Sequence, residues 1–253
     1  MATTSQWYAL AQRLFNKGVA IFNDSNIVPN ENGASDPKVV ALCLLGRTLN
    51  NCRVTMMLLE NHNIVEARTI SRCCYENLFW AASLTKKREE FVKEMYLDDA
   101  ANRSRRAGGL SSWLREQSQN SQMVEQLENL TKSLKDEHGR LTAIRQKVAA
   151  EDGGVAAAYV MYSELSNDAA HPSADSLSRH LILEDKEAGL PFTAILIPQA
   201  EEKEIQDTLL LLCNAVLGVC VATNEIIEGQ SGGERLDAIY EDYLSFSKHS
   251  GSS

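Results

Sequence analysis

Two short groups of polar residues hold the side chains of this sequence that could carry out chemistry. The first is Arg68-x3-Arg72-x3-Glu76, set among apolar and aromatic residues. Residues four apart form a slanted stripe on a helix, so the three charges would share one side of it. Two interpretations stay open. Either Arg72 and Glu76 pair internally and fix the helix register, or the arginines line a cleft for a phosphate, which suits the guanidinium fork.

The second group is Tyr162-x3-Ser166-x4-His171-Pro172-Ser173, with Asn167 in the same polar run. A helix should end at His171, because the residue before a proline avoids the helical conformation. A histidine at that point is either a favourable cation at a helix C-terminus or a catalytic side chain that projects from the end of a rigid element. The sequence favours neither interpretation over the other.

Further along the chain, a basic cluster formed by Arg103, Arg105 and Arg106 precedes Gly108-Gly109. A solvated helix end is a simpler explanation for it than a contact to RNA. The chain contains no Walker loop, dinucleotide-binding glycine motif, nucleophile elbow or zinc-protease motif. Its carboxylates do not follow the pattern of di-iron bundles. We therefore expect neither a metal nor a cofactor.

Composition narrows the classes of function. The chain has 253 residues, 44% of them hydrophobic, and a net charge of −9 from 25 basic and 34 acidic residues. Such a protein lacks the basic field of a dedicated DNA or RNA binder, although an enzyme could still act on RNA through a local basic patch. We expect no DNA partner.

The cysteines and the apolar segments favour the cytoplasm as the location. Six cysteines in a chain of this length are too few for a disulfide scaffold, so we expect buried, reduced thiols. We see no signal peptide at the N-terminus. The longest apolar run, 208–222, is shorter than the ~20 residues that span a bilayer. We interpret it as a core helix and expect no membrane partner.

The spacing of apolar residues predicts an all-α fold, an up-and-down bundle of about five to seven helices. Two consecutive segments carry apolar residues at alternating steps of three and four, which predicts an antiparallel helical hairpin. Their seam positions are Leu42, Leu45, Leu49, Cys52, Met56 and Leu59, then Ile64, Ala67, Ser71, Cys74, Leu78 and Ala81. A helix start is expected at 35–37, where Pro37 follows Ser35-Asp36.

The rest of the chain is assigned more coarsely. A polar helix over 86–107 should end at Gly108-Gly109, and 111–150 should form a long polar helical segment. A short helix is expected over 155–170, a small β-hairpin insertion near 179–198, and a long central helix over 200–228. We interpret 1–253 as a single helical domain, with a core bundle over 36–228 and a C-terminal appendage over 229–253.

The two polar motifs, about ninety residues apart, resemble an uncharacterised bacterial family of helical proteins of unknown function. That family is similar to the HEPN superfamily (higher eukaryotes and prokaryotes nucleotide-binding). The resemblance covers about 36–228, and only these two motifs carry it. It implies a metal-independent ribonuclease in phage defence or a toxin system, working as a homodimer. The HEPN hallmark is an arginine followed after four to six positions by a histidine.

In this chain Glu164, Leu165 and Ser166 occupy the positions where that arginine would stand, so Arg72 or Arg68 would have to supply it. The resemblance then implies that His171 acts as general acid or base on a ribose 2′-hydroxyl and that Arg72 stabilises charge on the phosphate. Glu76 would orient Arg72, and Ser166 or Tyr162 would orient the imidazole, with Asn167 as the polar residue of the hallmark.

The other function class consistent with the sequence is a non-catalytic binding or scaffold protein. Its polar cluster would fix the bundle or bind a nucleotide or small anion. The acidic net charge favours this class, and the arginine stripe with the polar histidine turn favours the enzyme.

Overall fold

The computed structural model describes residues 2–118, 120–167, 174–182, 191–198, 200–229 and 235–248. These residues form ten α-helices and one antiparallel pair of two-residue strands, which confirms the all-α prediction. The elements in chain order are α1 (Thr4–Asp24), α2 (Pro37–Glu60), α3 (Ile64–Lys87), α4 (Glu89–Glu116), α5 (Ser121–His138), α6 (Gln146–Asp152), α7 (Ala158–Leu165), α8 (Ala174–Ser178), β1 (Leu181–Ile182), β2 (Thr193–Ala194), α9 (Glu202–Ile227) and α10 (Leu236–Ser247).

The helix count exceeds the expected five to seven because four of the ten helices are short. Six helices have 18 residues or more, within the predicted range of five to seven. The others, α6, α7, α8 and α10, have between 5 and 12 residues. Such short helices depend on packing for their stability, which a periodicity pattern does not record.

The start of α2 follows the sequence prediction. Asp36 is the N-cap residue and Pro37 occupies the first turn, where a missing N–H costs nothing. One Asp36 carboxylate oxygen accepts a hydrogen bond from the Lys38 N–H at 2.8 Å, and the other accepts one from the Asn30 N–H at 2.8 Å. The buried carboxylate therefore satisfies both the helix end and the preceding loop.

The α2–α3 hairpin forms the frame that carries the arginine stripe. All six predicted seam residues of α3 are buried, as are five of the six in α2, with Leu42 half-buried. Asn77 on α3 also donates a hydrogen bond to the Thr48 hydroxyl on α2 at 3.0 Å inside this interface. The predicted hairpin is thus confirmed.

Helix α9 is the centre of the bundle and packs against α1, α2, α3 and α10. Among the described residues it is the one helix long and apolar enough to cross a membrane, with a mean hydropathy of 1.9 over its most apolar stretch. In this structure 61% of that stretch is buried by the surrounding helices. The prediction of a central core helix is confirmed.

Helices α4 and α5 form an antiparallel arm that leaves the bundle. Arg88, with a φ of 51°, turns the chain between α3 and α4, and α5 packs mainly on α4. The prediction that Gly108-Gly109 ends a helix is wrong, because α4 continues to Glu116. A glycine weakens a helix by only about 1 kcal/mol, and the packing of α4 on α5 compensates for this loss.

Other parts of the chain also differ from the prediction. The polar segment over 111–150 is not continuous, since residues 139–145 separate α5 from α6. The predicted helix over 155–170 is described as the shorter α7, continued by a wider turn at Ser166 and Asn167. The predicted hairpin is present, pairing Leu181 with Ala194 and Ile182 with Thr193. The connection between the two strands, 183–190, lies outside the described residues.

All six cysteines are free thiols, and four of them are buried: Cys52, Cys74, Cys213 and Cys220. Burial raises the pKa of Cys52 and of Cys220 to about 12, so both are protonated and unreactive near neutral pH. The expectation of burial is wrong for Cys43, which is exposed, and only partly right for Cys73.

Gly153 should be essential for the packing of α6 on α3, because a Cβ at this position would lie 2.9 Å from backbone atoms of Ala82 and Ser83. We expect Gly153→Ala to lower the free energy of unfolding by about 1–3 kcal/mol. The matched change Gly108→Ala meets nothing within 4 Å and lies inside a helix, so it should raise that free energy by about 0.5–1 kcal/mol. Urea unfolding measures the free energy of unfolding of both variants. Equal changes in the two variants would contradict the close packing of Gly153 on α3.

Candidate functional site

Arg72 on α3 donates two hydrogen bonds to the α7 segment and forms an ion pair within its own helix. Its Nε donates to the Ser166 hydroxyl at 2.8 Å and its Nη2 donates to the Tyr162 hydroxyl at 2.7 Å. Its Nη1 lies 3.1 Å from a carboxylate oxygen of Glu76, one turn along α3. Four residues that the sequence analysis singled out therefore meet at one point.

The same residues also bind one another. The Tyr162 hydroxyl donates to Glu76 Oε1 at 3.3 Å, and the Ser166 hydroxyl donates to the Tyr162 carbonyl at 2.8 Å. The Arg72 guanidinium carbon lies 4.8 Å from the centroid of the Tyr162 ring, within the range of a cation–π contact. We call these four residues, Arg72, Glu76, Tyr162 and Ser166, the Arg72 network.

An aromatic cluster next to the Arg72 network packs α3 against α7. Phe79 is fully buried and packs edge-on against Tyr162, with ring centroids 5.5 Å apart. Tyr159 contacts both of these rings. Because Phe79 is on α3 and both tyrosines are on α7, this packing fixes the distance that the Arg72 hydrogen bonds must span.

The network is half-buried and keeps one side open to solvent. The side chains of Arg72 and Glu76 retain 21% and 24% of their exposure. Burial raises the pKa of Tyr162, with Glu76 adding to the effect and Arg72 opposing it. The phenol is therefore neutral at physiological pH, and its hydroxyl donates a hydrogen bond to Glu76. Two of the five guanidinium N–H groups donate hydrogen bonds within the network, to Ser166 and to Tyr162, while Nη1 faces the Glu76 carboxylate.

Arg68, the other arginine of the stripe, is placed differently. It is buried, and its guanidinium lies 3.3 Å from the Glu164 carboxylate and donates to the Thr208 hydroxyl at 3.3 Å. Glu164 on α7 and Thr208 on α9 were not identified from the sequence. Glu164 lies within the polar run already singled out, but its spacing from Arg68 carries no signal before the fold is known. Arg68 joins three helices and is less accessible to a ligand than Arg72.

Close to Arg68, a polar cleft of about 480 Å³ is lined by Arg68, Arg179, Glu201, Lys203, Glu204 and Asp207. Arg179 forms an ion pair with Glu204, which ties the segment before β1 to α9. The cleft therefore contains cations and carboxylates in equal number. This balance does not favour an anionic ligand.

The basic cluster lies on α4, apart from the Arg72 network. It is in the interior of the helix, so the predicted helix end at this position is wrong. Arg103 pairs with Asp99 at 3.8 Å, and Arg105 donates to the Asn102 side chain at 2.8 Å. Arg105 and Arg106 line a cleft of about 670 Å³ together with Trp80 and Tyr96. None of the four network residues lines that cleft.

His171, the central residue of the predicted site, lies outside the described residues. The described chain stops at Asn167, which is exposed and follows Ser166 directly. His171 is therefore four residues beyond Asn167 and six beyond the last residue of α7. Ser166 and Tyr162 both accept hydrogen bonds from Arg72, and the expectation that they also orient the imidazole stays a prediction.

In the part of the chain that the structure describes, no three histidine, cysteine, aspartate or glutamate side chains are grouped so as to hold a metal ion. The polar groups of the candidate site are cationic and hydroxylic, apart from Glu76. Such a set suits an anion better than a metal.

Comparison with known proteins identifies the family. A family model described as a family of unknown function (DUF5677) matches residues 38–188. The chain belongs to the DUF5677 family. The matched range begins in α2 and contains both halves of the Arg72 network, whereas α9 lies beyond it. No curated protein and no solved structure matches the chain.

The Tyr162 hydroxyl should stabilise the contact between α3 and α7. We expect Tyr162→Phe to lower the free energy of unfolding by about 1 kcal/mol, because Arg72 and Glu76 both lose a partner while the ring packing remains. Tyr159→Phe is the matched control, since that ring packs in the same cluster outside the network. Equal values for the two variants in urea unfolding would contradict the network.

Stability should fall in alkali because buried phenols resist ionisation. Burial raises the pKa of Tyr8 to about 12 and raises the pKa of Tyr75, Tyr162 and Tyr243 as well. Above the ordinary tyrosine pKa of about 10, the unfolded chain loses these protons first, so the free energy of unfolding decreases as pH rises. Urea unfolding at about pH 9 and about pH 11 measures the decrease, and a constant value would contradict it.

Proposed function

We propose that the Arg72 network is the phosphate-binding half of a HEPN-like site that cleaves RNA without a metal, with His171 as the acid–base group. The observation that supports this most is the meeting of Arg72, Glu76, Tyr162 and Ser166 on one half-exposed face. The network ends at Ser166, and the segment that carries His171 follows it in the chain.

The proposed reaction needs few groups. The 2′-hydroxyl oxygen of a ribose attacks the adjacent phosphorus, the bond from phosphorus to the 5′ oxygen breaks, and a 2′,3′-cyclic phosphate forms. His171 takes the 2′-hydroxyl proton and water protonates the leaving 5′ oxygen, or His171 protonates that oxygen and water takes the 2′-hydroxyl proton, because histidine titrates near neutral pH. Arg72 binds the phosphate through guanidinium N–H groups that donate no hydrogen bond within the network and stabilises the charge that develops there.

The other members of the network position Arg72. Glu76 fixes one edge of the guanidinium, Ser166 holds Nε, and the Tyr162 ring lies against its plane. A side chain held at this many points loses little freedom when a phosphate binds, which lowers the entropic cost of binding. Tyr162 and Ser166 are thus positioning residues in this proposal.

A second candidate is a non-catalytic binding or scaffold protein. It is favoured by the fact that the four network residues bind one another. Every member of the network already has a partner within it. Such a cluster also fits a polar clamp between α3 and α7. The net charge of −9 agrees with this candidate, because it opposes the approach of a polyanion.

The test is incubation of the purified full-length protein with end-labelled single-stranded RNA in EDTA. We expect the parent protein to produce fragments that end in a cyclic phosphate. His171→Ala should slow cleavage by about 100-fold or more, and so should Arg72→Gln, because each removes one catalytic contribution. His138→Ala on α5 is the matched control and should cleave like the parent.

The alternative outcomes are informative. Equal cleavage by the parent and by His171→Ala would contradict the proposed site. RNA binding without cleavage, lost in Arg72→Gln, would favour the binding protein. Absence of both cleavage and binding would contradict an RNA substrate. We also propose a cytoplasmic location and a role in phage defence or a toxin system, in line with the HEPN resemblance.

A further inference from the structure

The α4–α5 arm carries an apolar face that the described chain does not cover. Leu110 and Trp113 on α4 are 46% and 53% exposed, and Met123 and Leu130 on α5 are 41% and 36% exposed. Four large apolar side chains clustered on one surface are more than the scattered exposure of an ordinary monomer.

These four side chains lie on the same side of the arm. Ser111 and Leu114 on α4 and Val124 on α5 are buried, and because α5 packs mainly on α4 we assign them to the contact between the two helices. Each exposed residue comes one position before a contact residue, which is about 100° around the helix. In two antiparallel helices that face each other, residues one position before the contact residues lie on the same side of the pair. The four exposed residues therefore share one side of the arm.

The opposite side of the arm confirms this geometry. Arg115 and Glu128 form an ion pair between α4 and α5. Arg115 comes one position after Leu114 in the contact, so it is rotated in the other direction. The ion pair therefore closes one side of the arm, and the four apolar residues occupy the other side. We call this second side the arm face.

Charged residues continue the arm face towards the bundle. The same helical rotation places Arg103 and Arg106 on the α4 edge and Glu137 on the α5 edge, all exposed. The arm face is thus apolar near the tip, with Arg103, Arg106 and the Arg103 partner Asp99 along its α4 edge and Glu137 on its α5 edge.

We propose that the arm face binds the same face of a second copy of this chain. A twofold axis parallel to the arm would place α4 of each copy over α5 of the other. The apolar tips would then meet, and Arg103 and Arg106 of each copy would face Glu137 of the other. The four helices would pack as an antiparallel bundle, a stable arrangement with alternating directions.

The dimensions of the arm agree with such a dimer. Helix α5 has 18 residues and is about 27 Å long, and two packed helices are about 20 Å wide. The face measures on the order of 500 Å² in projection, and more as accessible surface, close to the ~800 Å² per partner of a standard interface. The contact surface is helical, as expected for a bundle that pairs with itself.

Sedimentation velocity of the full-length protein at micromolar concentration tests the proposal. We expect a dimer for the parent. Leu110→Glu and Trp113→Glu should each raise its dissociation constant by about 100-fold or more, because the change enters the interface twice. Met57→Glu alters an equally exposed side chain on α2 and should leave the dimer intact. Circular dichroism checks that each variant is folded.

A charge exchange tests the arrangement of the copies. Arg103→Glu and Glu137→Arg should each weaken the dimer, and the double variant should recover most of the loss, since it restores opposite charges. A monomeric parent would overturn the proposal, as would a dimer that none of the arm variants weakens. A monomer that instead sediments with phospholipid vesicles would assign the arm face to a membrane.

Discussion

A cation between two helices has to be compensated on both of them, and Arg72 meets that constraint in this chain. Its own helix supplies Glu76, and α7 supplies two hydroxyl groups and an aromatic face. If α7 lay elsewhere, the guanidinium would lose most of its partners in a half-buried position, which costs more than the contacts contribute when formed. The short helix α7 is held on α3 by this requirement together with the packing of Phe79.

The frame around Arg72 follows from apolar spacing, which is why much of the fold could be predicted. The seams of α2 and α3, the start at Asp36-Pro37 and the central position of α9 all depend on local periodicity or on local end signals. Gly108-Gly109 was misread because a local signal was opposed by contacts with α5, a helix distant in sequence. The start of α7 lies three residues beyond the predicted one for a similar reason, since tertiary contacts decide where so short a helix begins.

The candidate site also combines features that local spacing predicts with features that tertiary contacts decide. The slanted stripe of Arg68, Arg72 and Glu76 could be seen from spacing within α3, and the pattern of Tyr162 and Ser166 from spacing within α7. That these groups meet depends on how the two helices pack. The different surroundings of Arg68 and Arg72 also depend on this packing. Arg68 is one turn closer to the start of α3, where Thr208 on α9 and Glu164 on α7 enclose it, whereas the Arg72 side chain keeps 21% of its exposure.

The central claim is that His171 completes the Arg72 network as one phosphate site. The most direct measurement is the NMR spectrum of the histidine rings, with the His171 signal assigned by comparison with His171→Ala. It would be recorded with and without a short RNA whose 2′-hydroxyl groups are methylated, so that the RNA binds without being cleaved. We expect the His171 signal to move when this RNA binds and also when Arg72 is replaced by lysine. A His171 signal that responds to neither change, while the Ser166 amide responds to both, would contradict it.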